Sequence, residues 1–468
     1  MPDLIKQPMK TPLYIGMLAA VALLSACAST PEADKPKLEL PVAEAPAENL
    51  SKWWSRYNDP SLDALVERAL ANNADLRIAA ARVDESAAAL RVARSSYAPS
   101  VDLTAGASRS KATEMGAMAR PAGTYLSNDF KVGIDVAYEV DLWGRVRSAN
   151  RAALGDFAAT REALATAQSS IAAQVARSYF SLLAIDHKLN FLQETLTTRN
   201  EALQLAQRKL NGGTASSLQV QQAQSERDAI AAALPTLKAA QAQAERAIAV
   251  LVGASPREII EGKVSRSTAA TLPDAPTVPE GLPSSLLMRR PDVRQAEASL
   301  AASQARVSEA RAQYFPQIIL TGGAGYESAQ LSDLFSPQAF IWRLAAGLTQ
   351  PIFGINRIDA QVNAAKARST QAEVGYVRTV QTAFKEAYDA LGNLRAARET
   401  QLAQTQRATA LAESLRIAQK RYDVGASPWL EVLDAQRNLY SVESDRIDAQ
   451  ANALTASVDI FRALGGGW

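Results

Sequence analysis

The stretch "DFKVGIDVAYEVDLWG", residues 129–144, decides the fold. From Phe130 to Leu142 every even position is apolar, whereas the odd positions hold charged residues, glycine or alanine. This period of two predicts a β-strand with one apolar face. The alternation recurs in "AFIWRLAAGLTQPIF", residues 339–353, with Phe340 and Trp342 on the apolar face. Most of the remaining chain has the Ala-, Gln- and Arg-rich pattern of helices, so the role of these strands in a mainly helical protein has to be explained.

Composition excludes several classes of protein. The 468 residues have a formal net charge of +2, and the basic residues alternate with acidic ones, which argues against a nucleic-acid-binding surface. The chain has one histidine, His187, and one cysteine, Cys27, so no His/Cys metal cluster or disulfide framework forms within it. His187 lies in a helical pattern and is interpreted as an ordinary helix residue. We find no G-x-S-x-G or H-E-x-x-H motif, and we predict neither an enzyme nor a cofactor.

The N-terminus has the pattern of a secretory signal. Two lysines precede an apolar run from about residue 13 to residue 24, which is shorter than the roughly 20 residues of a membrane-spanning helix. The run ends in Leu24-Ser25-Ala26-Cys27, which resembles the lipobox of bacterial lipoproteins. We therefore predict a signal peptide at 1–26 and acylation, such as palmitate, on Cys27. Residues 27–60 follow as a Pro- and Glu-rich tether.

An internal repeat organises the rest of the chain. A shift of 217 residues aligns residues 72–107 with residues 289–324 without a gap. Asp75, Arg94, Tyr97 and Pro99, among others, recur as Asp292, Arg311, Tyr314 and Pro316. With slightly different offsets, "DLWGR" corresponds to "PIFGI" and "GTASSLQVQQAQ" corresponds to "GASPWLEVLDAQ". The chain therefore consists of two copies of one repeated unit.

Each unit reads as helix, two strands, long helix and return helix. The first unit, 61–252, is predicted to contain a helix at 62–97, strands within 100–142, a long helix at 145–210 and a return helix at 215–252. A connector, 253–282, leads to the second unit, 283–468, with a helix near 284–314, strands within 317–353, a long helix at 356–422 and a return helix at 429–463. A long helix of this size measures about 100 Å.

Turn chemistry supports these boundaries. Both first helices end at Tyr-x-Pro, because proline disfavours helix in the residue before it. Both long helices end at glycine-containing turns that suit helix caps. In the second turn Ser427 is the expected N-cap and Pro428 the expected first helical residue. Pro235 is expected to kink the first return helix.

The strands and long helices together predict an assembly. Helices of about 100 Å exceed a single globular core and must pack side by side as a coiled coil. Four strands cannot close a barrel, and an open sheet in lipid leaves backbone groups unsatisfied at its edges. Strands of about ten residues with one apolar face suit a membrane barrel with a wet interior, which several chains would share. Two soluble, half-buried hairpins remain the alternative.

These features resemble a known family. The lipobox, "WWSRYNDPSLDALVERALANNADLRIA" (53–79), the duplicated unit, "DLWGRVR" (141–147) and "YDVGASPWLEVLDAQRNLY" (422–440) resemble the TolC-type outer membrane factors, specifically the lipoprotein branch that serves RND multidrug efflux pumps. The resemblance implies a mainly α fold with membrane β. Three chains would form a twelve-stranded outer-membrane β-barrel continuous with a long periplasmic α-helical barrel. The N-terminal segment, the connector and the C-terminus would form a girdle around the helical barrel.

The implied function is an exit duct in a tripartite efflux system. The duct would passively conduct drugs or other small solutes, and its partners would be a second and third copy of the chain, a periplasmic adaptor, an inner-membrane RND-type transporter and outer-membrane lipid. A periplasmic adaptor or structural coiled-coil lipoprotein is the alternative, because it too would carry a signal, a cysteine and a helical hairpin.

Two groups of residues are candidate sites. The helical turns lie at the distal ends of the long helices, and Val424-Gly425-Ala426 resembles the family's adaptor-contact tip; the candidate tip residues are Gly212, Gly213, Thr214, Val424, Gly425, Ala426 and Ser427. The alternative is that the glycines of these turns only cap the helices and make no contact with an adaptor. "LEVLDAQ" (430–436) resembles the family's gate segment, with Leu430 and Asp434 on one helix face and Glu431 as an outer contributor. Alternatively, Asp434 only pairs with Arg437.

Overall fold

The computed structural model describes residues 52–113, 125–267, 272–276 and 287–466, together with Pro36 and Met115. The helices in chain order are α1 (Pro60–Asn72), α2 (Ala74–Ser95), α3 (Arg145–Asn211), α4 (Ser217–Leu251), α5 (Pro256–Glu261), α6 (Pro291–Ala312), α7 (Ile355–Asp423) and α8 (Trp429–Ala463). The strands are β1 (Ser100–Lys111), β2 (Leu126–Glu139), β3 (Gln317–Ser328) and β4 (Phe340–Thr349). None of the helices in the described ranges combines the length and hydrophobicity that a membrane-crossing helix requires.

The two longest helices agree with the sequence pattern. α3 has 67 residues and α7 has 69, and each begins and ends within one residue of the predicted limits. α4 contains Pro235 within a single helix of 35 residues, so the residue where we expected a kink does not end the helix. The long helices are rich in alanine, and neither has the broad apolar stripe of a helix that covers a globular core. Each is therefore suited to packing against other helices along its length.

The predicted single helix at 62–97 is wrong, because the chain breaks it at Asn73. This side chain is buried, and its Oδ1 accepts hydrogen bonds from the backbone N–H groups of Asp75 (2.9 Å) and Leu76 (3.2 Å). Its Nδ2 donates to the carbonyl of Leu251 at 2.8 Å. Asn73 thus ends α1, caps α2 and ties both to the end of α4.

The four strands form one antiparallel sheet in the order β1-β2-β3-β4. The central pairing joins the two repeats, since Ile134 of β2 faces Ala324 of β3. Within the described residues, β1 and β4 each pair with one neighbour only, so each leaves one edge of the sheet unpaired.

The second strand ends earlier than its alternating pattern. We expected residues 129–142, but β2 ends at Glu139 and Asp141 becomes the cap of α3. The Asp141 carboxylate accepts hydrogen bonds from the backbone N–H groups of Val146 (3.0 Å) and Arg147 (2.9 Å). Gly144, with φ of 76°, makes the turn between strand and helix. β4 likewise ends at Thr349, two residues before Pro351, which has no N–H to donate to a strand neighbour.

The described residues divide into two compact units, and α3 and α7 contribute to both. The first unit contains the sheet and the helix segments next to it, within residues 84–159 and 296–375. There α3 passes very close to α6, because a Cβ on Gly155 would lie 2.8 Å from the Cβ of Ala302. Only glycine permits this approach.

The second unit holds the large apolar core. Trp53 stacks on Phe461 with ring centroids 5.4 Å apart, so the first described residues pack on the last helix. The hydroxyl of Tyr57 lies 2.6 Å from that of Ser457 in the same core. Burial raises the pKa of Tyr57, because the phenolate form would lose its hydration.

The described part of the predicted connector, residues 253–267 and 272–276, packs on the long helices of the second unit. Arg266 binds Asp186 of α3 and Glu245 of α4, each at 2.5 Å. α5 begins at a capping box in which Ser255 and Glu258 bond each other's backbone. Hydrogen bonds from Ser255 and Arg68 lower the pKa of Glu258. The connector is thus fixed by charge pairs to helices of the first repeat.

Candidate functional sites

The strand register places almost all large apolar side chains of the sheet on one face. Directly opposed residues of neighbouring strands share a face, and the pairs run from Leu103 to Ile134, to Ala324 and to Trp342. Trp342 is 73% exposed and Leu344 is 80% exposed. The members of this apolar face are Val101, Leu103, Ala105, Ala107, Phe130, Val132, Ile134, Val136, Tyr138, Ile318, Leu320, Ala324, Tyr326, Phe340, Trp342, Leu344, Ala346 and Leu348. A continuous uncovered apolar surface of this size requires a partner, which can be lipid.

The opposite face is polar and carries an ion pair that joins the two repeats. Arg343 of β4 donates to Asp135 of β2 at 2.5 Å, and Thr104 of β1 donates to the same carboxylate at 3.0 Å. The pair crosses β3 at Gly323, where a Cβ would lie 2.8 Å from the Asp135 Oδ1 atom. The glycine leaves room for the two charges to meet. Sequence reasoning missed this pair because its members are 208 residues apart.

The first helical turn follows α3 and exposes the predicted tip residues. Gly212, Gly213 and Thr214 are all exposed, and Gly213 has a φ of 73°, which favours glycine. Ser216 caps α4, since its hydroxyl accepts from Gln219 N–H while the Gln219 side chain accepts from Ser216 N–H. The capping box stabilises the start of α4, whereas the three exposed residues before it remain available at the surface.

The second turn, between α7 and α8, exposes Val424, Gly425 and Ala426. Gly425 has a φ of 77°, so it has the capping role that its position predicts. The predicted cap at Ser427 is wrong. Pro428 has φ of −73° and ψ of 155°, an extended conformation, and is itself the N-cap of α8. The buried Ser427 hydroxyl has no hydrogen-bond partner among the described residues.

Aromatic packing fixes the helices behind this turn. Tyr422 and Trp429 pack with ring centroids 5.0 Å apart, and the Lys209 ammonium lies 4.9 Å from the centre of the Tyr422 ring. The contact joins the end of α3 to the turn of the second repeat. The sequence pattern indicated neither the aromatic pair nor the cation above it.

The candidate gate residues lie on the outward side of the first turns of α8. Leu430 is 52% exposed, whereas Val432, on the other side of the helix, and the adjacent Leu433 are buried. The Asp434 side chain is 58% exposed. Glu431 lies 3.6 Å from Arg421 of α7, in a loose ion pair. Leu430 and Asp434 therefore form an exposed apolar and acidic pair near the tip.

Arg437 bears on the alternative role of Asp434. The Arg437 guanidinium lies 2.5 Å from Glu226 of α4 and 3.7 Å from Asp434. The hydrogen bond and charge of Glu226 raise the pKa of Arg437. Because its closest partner is Glu226, this arginine joins the two return helices and leaves the Asp434 carboxylate exposed to solvent.

His187 is half-buried on α3 beside Asp186, and burial lowers its pKa because the charged form loses hydration. The predicted signal peptide and the acylated Cys27 lie outside the described residues.

A sheet with one apolar and one charged face, in a chain that repeats strand pairs and long helical hairpins, defines an outer-membrane channel. The chain belongs to the family described as outer membrane efflux protein, which matches residues 65–254 and 282–466.

Individual relatives agree with this assignment. The chain is 31% identical over 472 residues to the probable efflux pump outer membrane protein TtgC of Pseudomonas putida, covering 98% of this chain and 96% of the relative. It is 33% identical over 416 residues to the solvent efflux pump outer membrane protein SrpC of Pseudomonas putida, covering 88% and 86%.

Among solved structures, the Campylobacter jejuni CmeC outer membrane channel superposes with a TM-score of 0.84 at 27% identity, covering 93% of this chain and 95% of that chain. The open state of the Neisseria gonorrhoeae MtrE outer membrane channel gives a TM-score of 0.81 at 28% identity, covering 94% and 98%. The chain is thus an outer-membrane efflux channel protein. The periplasmic adaptor, the alternative that the sequence left open, is wrong.

Proposed function

We propose that three copies of this chain share one twelve-stranded β-barrel and form the exit duct of a tripartite efflux system. The observation that carries the proposal is the sheet itself, with one apolar face, one charged face and two unpaired edges. In a membrane those edges must pair, and pairing β4 of one chain with β1 of the next closes a ring. The apolar face then meets lipid, and the Asp135–Arg343 pair lines a wet interior.

The helices supply the length of the duct. α3 has 67 residues, which corresponds to about 100 Å, enough to extend far beyond a bilayer. α3 and α7 begin next to the ends of β2 and β4, so in this assembly helices of this length would extend from the barrel into the periplasm. The exposed residues of the two turns form the surface that contacts a periplasmic adaptor and, through it, an inner-membrane pump.

At the same end, Leu430 and Asp434 would form the constriction. Three chains would present three exposed Asp434 carboxylates, and Gln222 occupies the corresponding position in the first repeat. A ring of carboxylates at a narrow point attracts cations and repels anions. Glu431 is an outer contributor whose charge is partly satisfied by Arg421.

Acylation of Cys27 would add a second attachment to the membrane. One acyl chain binds membranes only marginally, whereas the barrel itself spans the bilayer. The lipid therefore assists delivery and assembly more than it retains the finished channel.

Reconstitution tests the proposal. Purified protein in mild detergent should have the mass of three chains, and in a planar bilayer it should form discrete, cation-preferring channels. A monomeric protein that leaves the bilayer insulating would contradict the shared barrel.

A further inference from the structure

The four places where strands meet helices lie at one end of the sheet, because β1 and β3 begin there and β2 and β4 end there. We call residues 89–99, 140–151, 309–316 and 350–361 the junction. It contains seven arginines and three acidic residues, namely Arg91, Arg94, Arg145, Arg147, Arg151, Arg311, Arg357, Asp141, Glu309 and Asp359. Seven arginines and three acidic residues give the junction a formal charge of +4, whereas the whole chain has a formal net charge of only +2.

Arg145 and Arg147 have carboxylate partners close to the strand ends. Arg145 binds Glu139 at 2.5 Å, and Arg147 binds Asp141 at 3.2 Å. By contrast, the exposed side chains of Arg91, Arg94, Arg311 and Arg357 make no ion pair or hydrogen bond within the described part of the chain. We call the three that lie nearest to the strands along the chain, Arg94, Arg311 and Arg357, the unpaired junction arginines.

Comparison of the two repeats shows which arginine lacks the carboxylate of its counterpart. Arg357 follows Gly354 by three residues, as Arg147 follows Gly144. The position that corresponds to Asp141 is Pro351, so the second repeat keeps the arginine and lacks its carboxylate.

A favourable interaction with the helix dipole explains only two of the three unpaired junction arginines. Arg94 and Arg311 lie in the last turns of α2 and α6, where a cation favours the helix dipole. Arg357 lies in the first turn of α7, where a cation is unfavourable. Its position therefore points to an external anion.

The junction is also apolar and aromatic at its surface. Phe353 is 94% exposed and Ile352 is 75% exposed, directly after the apolar face of β4 ends. Trp143 stacks on Phe315 with centroids 4.7 Å apart, and its indole N–H donates to the carbonyl of Pro316 at 2.8 Å. Aromatic side chains beside arginine are typical of the boundary between hydrocarbon and headgroups, where the arginine stem lies along apolar surface and its guanidinium reaches the phosphate.

We propose that the unpaired junction arginines bind the phosphate groups of anionic phospholipids in the periplasmic leaflet of the outer membrane. The inference rests on the proposed function, which places the junction at that leaflet. The planar guanidinium bonds phosphate oxygens in pairs, so it suits this headgroup better than an ammonium does. In a trimer, nine such arginines would encircle the barrel at a single depth.

Native mass spectrometry of the detergent-solubilised trimer tests the proposal. With equal amounts of phosphatidylglycerol and phosphatidylcholine, the wild-type trimer should retain phosphatidylglycerol in excess. The triple variant Arg94→Gln, Arg311→Gln, Arg357→Gln should lose at least two-thirds of that excess, and Arg357→Lys should keep part of it. A matched control removes three arginines elsewhere: Arg208→Gln, Arg257→Gln, Arg416→Gln.

The outcomes separate the two proposals. An unchanged phosphatidylglycerol excess in the triple variant, or an equal loss in the control, would overturn the lipid site even if all the trimers conduct ions. Displacement of the lipid by inorganic phosphate would instead assign these arginines to a soluble anion and also overturn it. Absence of trimer and conductance in the wild type would contradict the proposed function itself.

Discussion

Two arginine substitutions, one on each face of β1, test which face of the sheet meets lipid. Ala105 and Gly106 are neighbours at the middle of β1, so they lie at the same depth. Ala105 faces Val132 on the apolar face, whereas Gly106 faces Lys131 on the polar face. The test compares Ala105→Arg with Gly106→Arg.

The expected difference follows from the surroundings of each position. An arginine on the lipid face at mid-membrane destabilises a barrel by about 2–4 kcal/mol, because the guanidinium loses hydration. A Cβ at Gly106 would meet no atom within 4 Å, so a side chain fits there without a clash. The like charge of Lys131 opposite costs Gly106→Arg at most about 1 kcal/mol. We therefore expect Ala105→Arg to be destabilised by at least about 1–3 kcal/mol more than Gly106→Arg.

Denaturant titration in lipid vesicles measures this difference. The folded barrel is followed by its resistance to gel denaturation and by tryptophan fluorescence, and the midpoint should fall clearly further for Ala105→Arg. Equal midpoints, or a lower midpoint for Gly106→Arg, would refute the assignment of the apolar face to lipid.

Three further predictions concern the tips and the anchor. Leu430→Ala combined with Asp434→Ala should raise single-channel conductance without loss of trimer, whereas Leu218→Ala, the first-repeat counterpart, should change it less; a double variant as tightly closed as wild type would remove the gate assignment. Ala426→Arg should preserve the Gly425 cap and the trimer but weaken adaptor binding in a pull-down, and normal binding with normal efflux would leave this turn only its capping role. Mass spectrometry of the mature N-terminus should find acylated Cys27, and an intact leader would contradict the lipobox assignment.

Local chemistry made the long elements predictable. The limits of α3 and α7 follow from uninterrupted helical patterns that end at glycine turns, and each prediction holds within one residue. Periodicity also identified the apolar side of β2, since alternation depends only on neighbouring residues. Periodicity predicted too long a strand, because Asp141 continues the alternating pattern but its carboxylate caps α3.

The break at Asn73 was missed although its signal is local. An asparagine between two helical patterns is a good N-cap, and "ANNADL" allows one. The bond from Asn73 to the carbonyl of Leu251, which is 178 residues away, adds a tertiary contact at the break that sequence spacing does not indicate. Similarly, Pro428 could occupy either the N-cap or the first helical position, because its fixed φ suits both, and only its ψ of 155° distinguishes them.

The charge pairs that shape the candidate sites depend on tertiary contacts. Asp135 meets Arg343 only because β3 lies between their strands and has glycine at position 323. The alternative role of Asp434 was a pair with Arg437, three residues away, and these two side chains lie 3.7 Å apart, but packing of the return helices gives Arg437 a closer partner in Glu226 at 2.5 Å. Sequence spacing alone does not distinguish such partners.

Disulfide cross-linking between sheet edges tests the shared barrel most directly. In a Cys27→Ser background, Ala105→Cys on β1 is combined in turn with Leu344→Cys, Ala346→Cys or Leu348→Cys on β4, all of which lie on the apolar face. A barrel closed by three chains predicts that at least one pair yields a covalent ladder ending at the mass of three chains, about three times 50.0 kDa. A ladder that stops at two chains, extends beyond three, or never forms in membranes at any of the three pairs would contradict a barrel of three chains and twelve strands.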